Sequence, residues 1–223
     1  MTKQFTERLR ERVAAMWDAQ MRHPFVRGIA DGTLELAKFQ FWLCQDYVFL
    51  IEYSRLFALA AARSPNLQTM TRFAALLHET IGTEMNLHRG YAAEFGITVE
   101  QLEHTLAAPA TRAYTDFLLR AASLGDFAEL TAALLPCMWA FSEIGQHLAA
   151  QPPVNHNRYA TWIEMYSSGE FAELAEWCRE LLDERAAGLP ERDLQRLEDV
   201  FLTSTRYEWL FWEMAWKKEQ WPA

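Results

Sequence analysis

The spacing of the apolar residues is the feature that most constrains how this chain of 223 residues folds. Apolar side chains recur at helical intervals almost everywhere, and no window shows the sustained alternation that indicates a half-buried strand. Near the start, one helical face carries Phe5, Leu9, Val13, Met16 and Trp17. The spacing therefore predicts an all-α protein.

Proline, glycine and capping residues predict where the helices begin and end. Thr33 is the expected N-cap of a long helix, and Ser167-x-x-Glu170 is an expected capping box. The expected helical ranges are 33–63, 66–95, 111–124, 127–150, from the capping box to 187, and 191–218, with a turn of helix at 99–106, a short helix in a loop at 154–166, and a break at 23–33. With no repeat and no Gly/Ser linker, these ranges predict one helical domain over residues 1–223.

Composition excludes several classes of partner. The formal net charge is -9 with no Lys/Arg block, so we expect neither nucleic acid nor an anionic membrane surface as a partner. The N-terminal segment is charged throughout, unlike a signal peptide, and the apolar stretch from Tyr47 to Ala62 contains Glu52 and Arg55. Three cysteines without a CxxC pair predict neither a disulfide framework nor a zinc site. We therefore expect a soluble, cytoplasmic protein.

Three segments carry side chains suited to chemistry. Cys137 follows Pro136 in an apolar helix, where a cysteine is most often a small core residue and becomes reactive only beside a proton-handling partner. Asp46 lies in a second apolar helix, in which a carboxylate needs a partner or exposure. Glu208 and Glu213 lie among five aromatic residues, and a carboxyl group walled by rings suits a general acid. Exposure is the simpler interpretation for Glu213.

Histidine spacing raises a metal alternative. The pairs Glu84/His88 and Glu143/His147 each place two ligands on one helix face, but a di-iron site of the ferritin type requires a different spacing. Ordinary hydrogen bonding is therefore the favoured interpretation of both pairs. His23, the one candidate haem ligand near the N-terminus, precedes a proline and is better explained as a turn residue.

Seven sequence blocks covering nearly the whole chain identify a family resemblance. In chain order they are HPFVRGIADGTL, LCQDYVFLIEYSRLFALAAA, EMNLHRGYAAEFGI, TRAYTDFLL, GDFAELTAALLPC, WIEMYSSGEFAEL and RYEWLFWEMAW. In this order the blocks closely resemble the TenA/thiaminase II family. The resemblance implies a single-domain, haem-oxygenase-like helical bundle that is usually assembled as a homotetramer.

The resemblance also implies roles for individual residues. Cys137 matches the nucleophile, which places the chain with the cysteine-containing TenA proteins, and Glu208 matches the catalytic acid/base. Asp46 matches the carboxylate that holds a pyrimidine ring nitrogen and its exocyclic amine. Tyr114 and Tyr166 match hydroxyls that orient the ring and the cysteine.

Three phenylalanines complete the expected substrate site. Phe211 matches an aromatic residue beside the substrate, whereas Phe49 and Phe141 stand where better-known members of the family have tyrosine. Each of these two differences removes a hydroxyl, and a hydrogen bond contributes about 0.5–1.5 kcal/mol. The differences bear on substrate and rate rather than on the class of reaction.

The function implied by the resemblance is thiamin salvage without a metal or an organic cofactor. We expect hydrolysis of 4-amino-5-aminomethyl-2-methylpyrimidine, or of thiamin itself, to 4-amino-5-hydroxymethyl-2-methylpyrimidine. Two alternatives stay open: a protein that binds aminopyrimidine or thiamin without turnover, and a metal-dependent oxidase on the same fold.

Overall fold

The computed structural model describes residues 4–222, except for the side chains of Thr83, Glu84 and Leu87. The described residues form helices and no strand, which confirms the all-α prediction. The helices are α1 (Phe5–Arg12), α2 (Ala14–Met21), α3 (Pro24–Asp31), α4 (Leu36–Arg63), α5 (Leu67–Glu79), a π-helical segment (Thr80–Glu84), α6 (Met85–Glu94), α7 (Val99–Glu103), α8 (Pro109–Leu124), α9 (Phe127–Ala149), α10 (Ala160–Tyr166), α11 (Gly169–Ala186) and α12 (Glu191–Lys217).

The chain divides into two compact units. Unit 1 comprises Met1–Leu34 and Thr131–Trp212, and unit 2 comprises Glu35–Leu130 and Glu213–Ala223. Unit 1 therefore takes most of α9 and α12, whereas unit 2 contains α4 to α8 in full. The single domain expected over residues 1–223 stays a prediction.

Unit 1 is built around buried tryptophans. Trp17 of α2 is fully buried, and its indole N–H donates a 2.8 Å hydrogen bond to Glu143 of α9. Trp212 of α12 is equally buried and donates to Gln20 of α2 at 3.3 Å. Each indole buries a large apolar surface while its N–H keeps an acceptor, so these contacts join the N-terminal helices to α9 and α12 with both indole donors satisfied.

In unit 2 the long helix α4 packs against α5 and α8. Its buried residues lie on more than one face, as expected for a central helix. Arg63, in the last turn of α4, donates hydrogen bonds to the carbonyls of Ala122 and Gly125 at the end of α8. A cation at a helix C-terminus satisfies carbonyls that have no helical partner, so this contact ties the ends of two helices together.

Several predicted boundaries are wrong for local reasons. Residues 23–33, expected to be a break, contain the helix α3. Pro24 occupies its first position, where no N–H is needed, and His23 caps it by accepting from the N–H of Phe25. Thr33 is not a cap: α4 begins after Glu35, and Thr33 bonds to Asp31 instead.

Other boundaries shift by a residue or divide an expected helix. The N-cap of α11 is Ser168, one residue after the predicted cap Ser167, and it accepts from the N–H of Phe171. The expected helix over 66–95 is divided by the π-helical segment at Thr80–Glu84. A π-turn inserts one residue into a helix and is often found near functional sites. The expected stop at Gly96 is confirmed, with φ at 75°.

Helix α9 is long and apolar enough by length and composition to cross a membrane, with a mean hydropathy of 1.2 over an 18-residue window. Of that window 78% is buried within the structure. A core helix of a globular protein passes the same test, and its burial is what such a helix would show.

Candidate active site

Cys137 lies within α9, directly after a proline that the helix accommodates. Proline has no N–H, so the helical hydrogen bond to the carbonyl of Ala132 is missing at this point. The thiol is half-buried, whereas Leu134 and Leu135 on the preceding turn are fully buried. The chain thus places the cysteine at the edge of the core and not at its centre.

Two contacts set the register between α9 and α12 in unit 1. The hydroxyl of Ser204 donates a 2.6 Å hydrogen bond to the carbonyl of Ala133, 71 residues earlier. The rings of Phe141 and Trp212, which have the same separation along the chain, stack with centroids 5.1 Å apart. The two helices therefore run parallel over these two turns.

Cys137 and Glu208 are also 71 residues apart in the sequence, as Ala133 and Ser204 are. On its own helix, each lies midway between the residues that make the two contacts. The register therefore places residue Glu208 of α12 at the helical level of residue Cys137 of α9. Glu208 is only 2% exposed. A buried carboxyl group level with a cysteine is an arrangement in which one group can supply the nucleophile and the other can move a proton.

An aromatic cluster continues unit 1 beyond this pair. The Phe141 ring lies 5.0 Å from the Tyr166 ring and 6.1 Å from the Trp162 ring. Phe211, next to Trp212 in α12, is buried as well. The structure thus brings together five of the predicted site residues in one unit: Cys137, Phe141, Tyr166, Glu208 and Phe211.

The other three predicted site residues belong to unit 2. Asp46 lies on α4 and is 5% exposed. The ring of Phe49, one turn later, has its centroid 5.2 Å from the Tyr53 ring and also 5.2 Å from the Tyr114 ring of α8. Asp46 thus lies one helical turn from an aromatic cluster that contains both Phe49 and Tyr114.

His88, considered at first as a metal ligand, lies beside Asp46. Its Nε2 is 3.0 Å from the carbonyl of Leu43, and its Nδ1 is 3.7 Å from Oδ2 of Asp46. Burial lowers the pKa of His88 below its ordinary value, because the charged imidazolium is desolvated. Since a carbonyl only accepts, Nε2 carries a proton in its hydrogen bond to Leu43.

A polar cluster next to Asp46 was not found by sequence reasoning. The Tyr47 hydroxyl donates to Glu103 of α7, and Arg89 of α6 donates to the Tyr47 oxygen at 2.7 Å and to Glu103 at 3.0 Å. Burial is the main cause that raises the pKa of Tyr47, while hydrogen bonds from Tyr47 and Arg89 lower the pKa of Glu103. The cluster joins α7 to α4 and α6. In the sequence, only Tyr47 of the QDY block pointed to it.

Four further candidate ligands or acids are ion-paired, hydrogen-bonded or exposed, and Glu213, for which exposure was the simpler interpretation, is half-buried. Glu52 pairs with Arg55, and Glu213 pairs with Lys217 at 2.5 Å. Glu143 accepts from an indole, as described above. His147 is exposed.

The candidate metal ligands are only partly covered by the structure. The Glu84 side chain lies outside the described residues. Among the residues that the structure does describe, no three His, Cys, Asp or Glu side chains lie close enough together to hold a metal ion.

Curated relatives match almost the full length of the chain. An "Aminopyrimidine aminohydrolase" of Halalkalibacterium halodurans is 46% identical over 218 residues, which cover 97% of each chain. A protein of the same name from Helicobacter pylori is 34% identical and covers 96% of this chain and 99% of its own.

Solved structures agree with the fold. A TenA homologue from P. horikoshii OT3 superposes with a TM-score of 0.88 at 29% identity, covering 96% of this chain and 99% of that one. A domain with a heme oxygenase-like fold from Shewanella denitrificans OS217 gives a TM-score of 0.73 at 18% identity, over 96% of this chain and 92% of its own, and confirms the expected fold class. Residues 10–218 match the model of the TENA/THI-4/PQQC family, and the chain belongs to this family.

Proposed function

We propose that this protein is an aminopyrimidine aminohydrolase of thiamin salvage. Its substrate is 4-amino-5-aminomethyl-2-methylpyrimidine, and water replaces the amino group on the methylene carbon to give the hydroxymethylpyrimidine and ammonia. The observation that carries this proposal is the 46% identity, over 97% of both chains, with a protein of that name. The register that brings Glu208 level with Cys137 supports it independently.

The proposed mechanism pairs a nucleophile with an acid, because an aminopyrimidine ring is a poor electrophile until it is protonated. The Cys137 thiolate adds to C6 of the ring while Glu208 protonates a ring nitrogen, which accepts the displaced electrons. The amine then leaves the methylene carbon, water adds to that carbon, and the C–S bond breaks to release the product. The equal level of the two side chains in unit 1 supports this division of roles.

The other site residues bind and orient the ring in this proposal. Asp46 holds a ring nitrogen and the exocyclic amine, and its burial would strengthen both hydrogen bonds. Tyr114 and Tyr166 supply hydroxyls. Phe211 supplies a ring face.

Phe49 and Phe141 add apolar surface to the site. Each lies in an aromatic cluster, with ring neighbours at 5.0–5.2 Å. Packed rings of this kind exclude water, which suits a planar substrate.

Three finer predictions belong to the same proposal. Thiamin is a second substrate. The chain functions in the cytoplasm. It assembles as a homotetramer, which light scattering would measure as about four times the 25.9 kDa chain mass.

The deciding experiment is steady-state hydrolysis of the aminomethylpyrimidine and of thiamin by wild type and Cys137→Ser. Cys178→Ala is the matched control, because it removes a buried cysteine of the same unit that has no proposed role. We expect the control to keep its activity. The serine variant should lose about 100-fold or more in kcat, since a hydroxyl is a far weaker nucleophile than a thiolate at neutral pH.

Two results would contradict the proposal. Binding of both compounds by wild type without release of ammonia or thiazole would support the non-catalytic alternative instead. Unchanged turnover in Cys137→Ser would keep the enzyme but remove the cysteine mechanism. Ammonia release and product chromatography separate these cases.

A further inference from the structure

Ser204 makes a contact that its neighbour does not make. Ser204 and Thr205 are both fully buried in α12. The Thr205 hydroxyl donates to the carbonyl of Phe201 in its own helix at 2.9 Å, which is the usual bond of a buried helical hydroxyl. The Ser204 hydroxyl donates instead to another helix, at the carbonyl of Ala133 in α9.

The acceptor of this bond has a second role. Ala133 lies four residues before Cys137, so its carbonyl is the helical acceptor of the Cys137 N–H. Ser204 lies four residues before Glu208. The bond therefore joins the turn that leads into Cys137 to the turn that leads into Glu208, and both of its side chains are small enough for two helix backbones to approach closely.

We propose that Ser204 is a positioning residue for Cys137 and Glu208, acting by holding α12 against α9 in the register that keeps these side chains level. This inference rests on the proposed function. In this proposal Ser204 acts through the placement of the two helices. Without its hydroxyl α12 keeps its own backbone bonds and its aromatic packing but loses a polar contact that holds it to α9 at the turn before the pair.

The test compares two deletions of a buried hydroxyl at adjacent positions of the same helix. Ser204→Ala removes the bond to α9, whereas Thr205→Val removes a bond within α12 and preserves shape. We expect Ser204→Ala to lower kcat about tenfold with KM within about twofold of wild type, because a displacement of 1 Å near the chemistry can cost about 100-fold. Thr205→Val should keep kcat within about twofold of wild type. The melting temperatures of both variants should fall by about the same amount, about 2–4 °C.

A double-mutant cycle shows whether the effect passes through Glu208. In the Glu208→Gln background, Ser204→Ala should lower kcat by less than about twofold, since residues that act as one unit are not additive. A tenfold loss in both backgrounds, or equal kcat losses in Ser204→Ala and Thr205→Val, would overturn the inference and leave Ser204 as an ordinary core residue.

Alkylation separates a failure of this inference from a failure of the proposed function. The rate at which iodoacetamide modifies Cys137, followed by peptide mass spectrometry, depends on thiolate content and access but on no substrate. We expect Ser204→Ala to change this rate at least about threefold relative to wild type and Thr205→Val to leave it unchanged. If wild type hydrolyses neither compound but the alkylation difference is found, the proposed function falls and the positioning role stands.

The converse outcome overturns only the inference. Active wild type with equal alkylation rates in all three proteins and no selective kcat loss would refute the role of Ser204. If Ser204→Ala does not fold, Ser204→Cys replaces it, because a thiol preserves the volume but donates weakly.

Discussion

Gly145 lies in α9 two turns after Cys137, where the end of α10 packs directly on the helix backbone. A Cβ atom at this position would lie 2.3 Å from the carbonyl carbon of Tyr166, 2.5 Å from its oxygen and 2.7 Å from the N of Ser167. Ordinary contacts of a Cβ begin at 3.4 Å. Gly145→Ala would therefore move the end of α10, and Tyr166 with it, by about 1 Å.

The stability change is the difference between two opposing terms. Overpacking against backbone costs about 1–3 kcal/mol, while replacing glycine by alanine inside a helix returns about 1 kcal/mol. We expect a net loss of about 1 kcal/mol, or about 2–4 °C in melting temperature. Because Tyr166 is one of the proposed orienting hydroxyls, we expect kcat/KM for the aminomethylpyrimidine to fall about 10- to 100-fold.

Gly90→Ala is the matched control, since Gly90 lies inside α6 and a Cβ there would meet nothing within 4 Å. This variant should be more stable than wild type by about 0.4–1 kcal/mol, with unchanged kcat/KM. Thermal unfolding by circular dichroism and steady-state kinetics measure both effects. If Gly145→Ala were as stable and as active as Gly90→Ala, α10 would not be positioned by this close contact.

Two further predictions concern buried rings. Burial lowers the pKa of His88, so below about pH 6.5 the unfolded chain binds protons that the folded protein does not. The free energy of unfolding therefore decreases as the pH is lowered. Urea unfolding should therefore show a smaller stability loss in His88→Gln than in wild type between about pH 7.5 and about pH 5.5, with the exposed His147→Gln behaving as wild type; equal losses in all three would contradict this. The second prediction concerns Phe141, whose ring centroid lies 5.0 Å from that of Tyr166 and where the resemblance implies tyrosine. Phe141→Tyr adds a hydroxyl beside Tyr166 and should raise kcat/KM about two- to tenfold. A fall in kcat/KM would show that the aromatic cluster has no acceptor for it.

Helix ends were predictable where only one signal was present. Ser64-Pro65 ends α4, and Gly125 ends α8, as expected from residues that cannot easily continue a helix. Pro24 could not be assigned in the same way, because a proline both ends a preceding helix and starts a following one. Which of the two occurs depends on whether later residues can be buried, and Phe25 is fully buried.

Local sequence was a weaker guide to which carboxylates are buried. Glu208 and Glu213 lie in the same aromatic segment of α12, yet Glu208 is 2% exposed while Glu213 pairs with Lys217 at a half-buried position. Five residues separate them, which is more than one full turn, so the two face different directions. Composition around each is alike, and only the packing of the helix distinguishes the buried acid from the half-buried, ion-paired one.

The register between α9 and α12 could not be predicted from the sequence at all. Both helices present apolar ridges at every turn, and a slip of one turn, about 5.4 Å, would still pack ridges into grooves. It would also bring Cys137 level with Ser204 or with Trp212 in place of Glu208. The register is instead fixed by a small pair at one turn, Ser204 with Ala133, and a large stacked pair two turns later. We therefore expect the alignment of the proposed nucleophile and acid to depend on the packing of the two helices on either side of the pair.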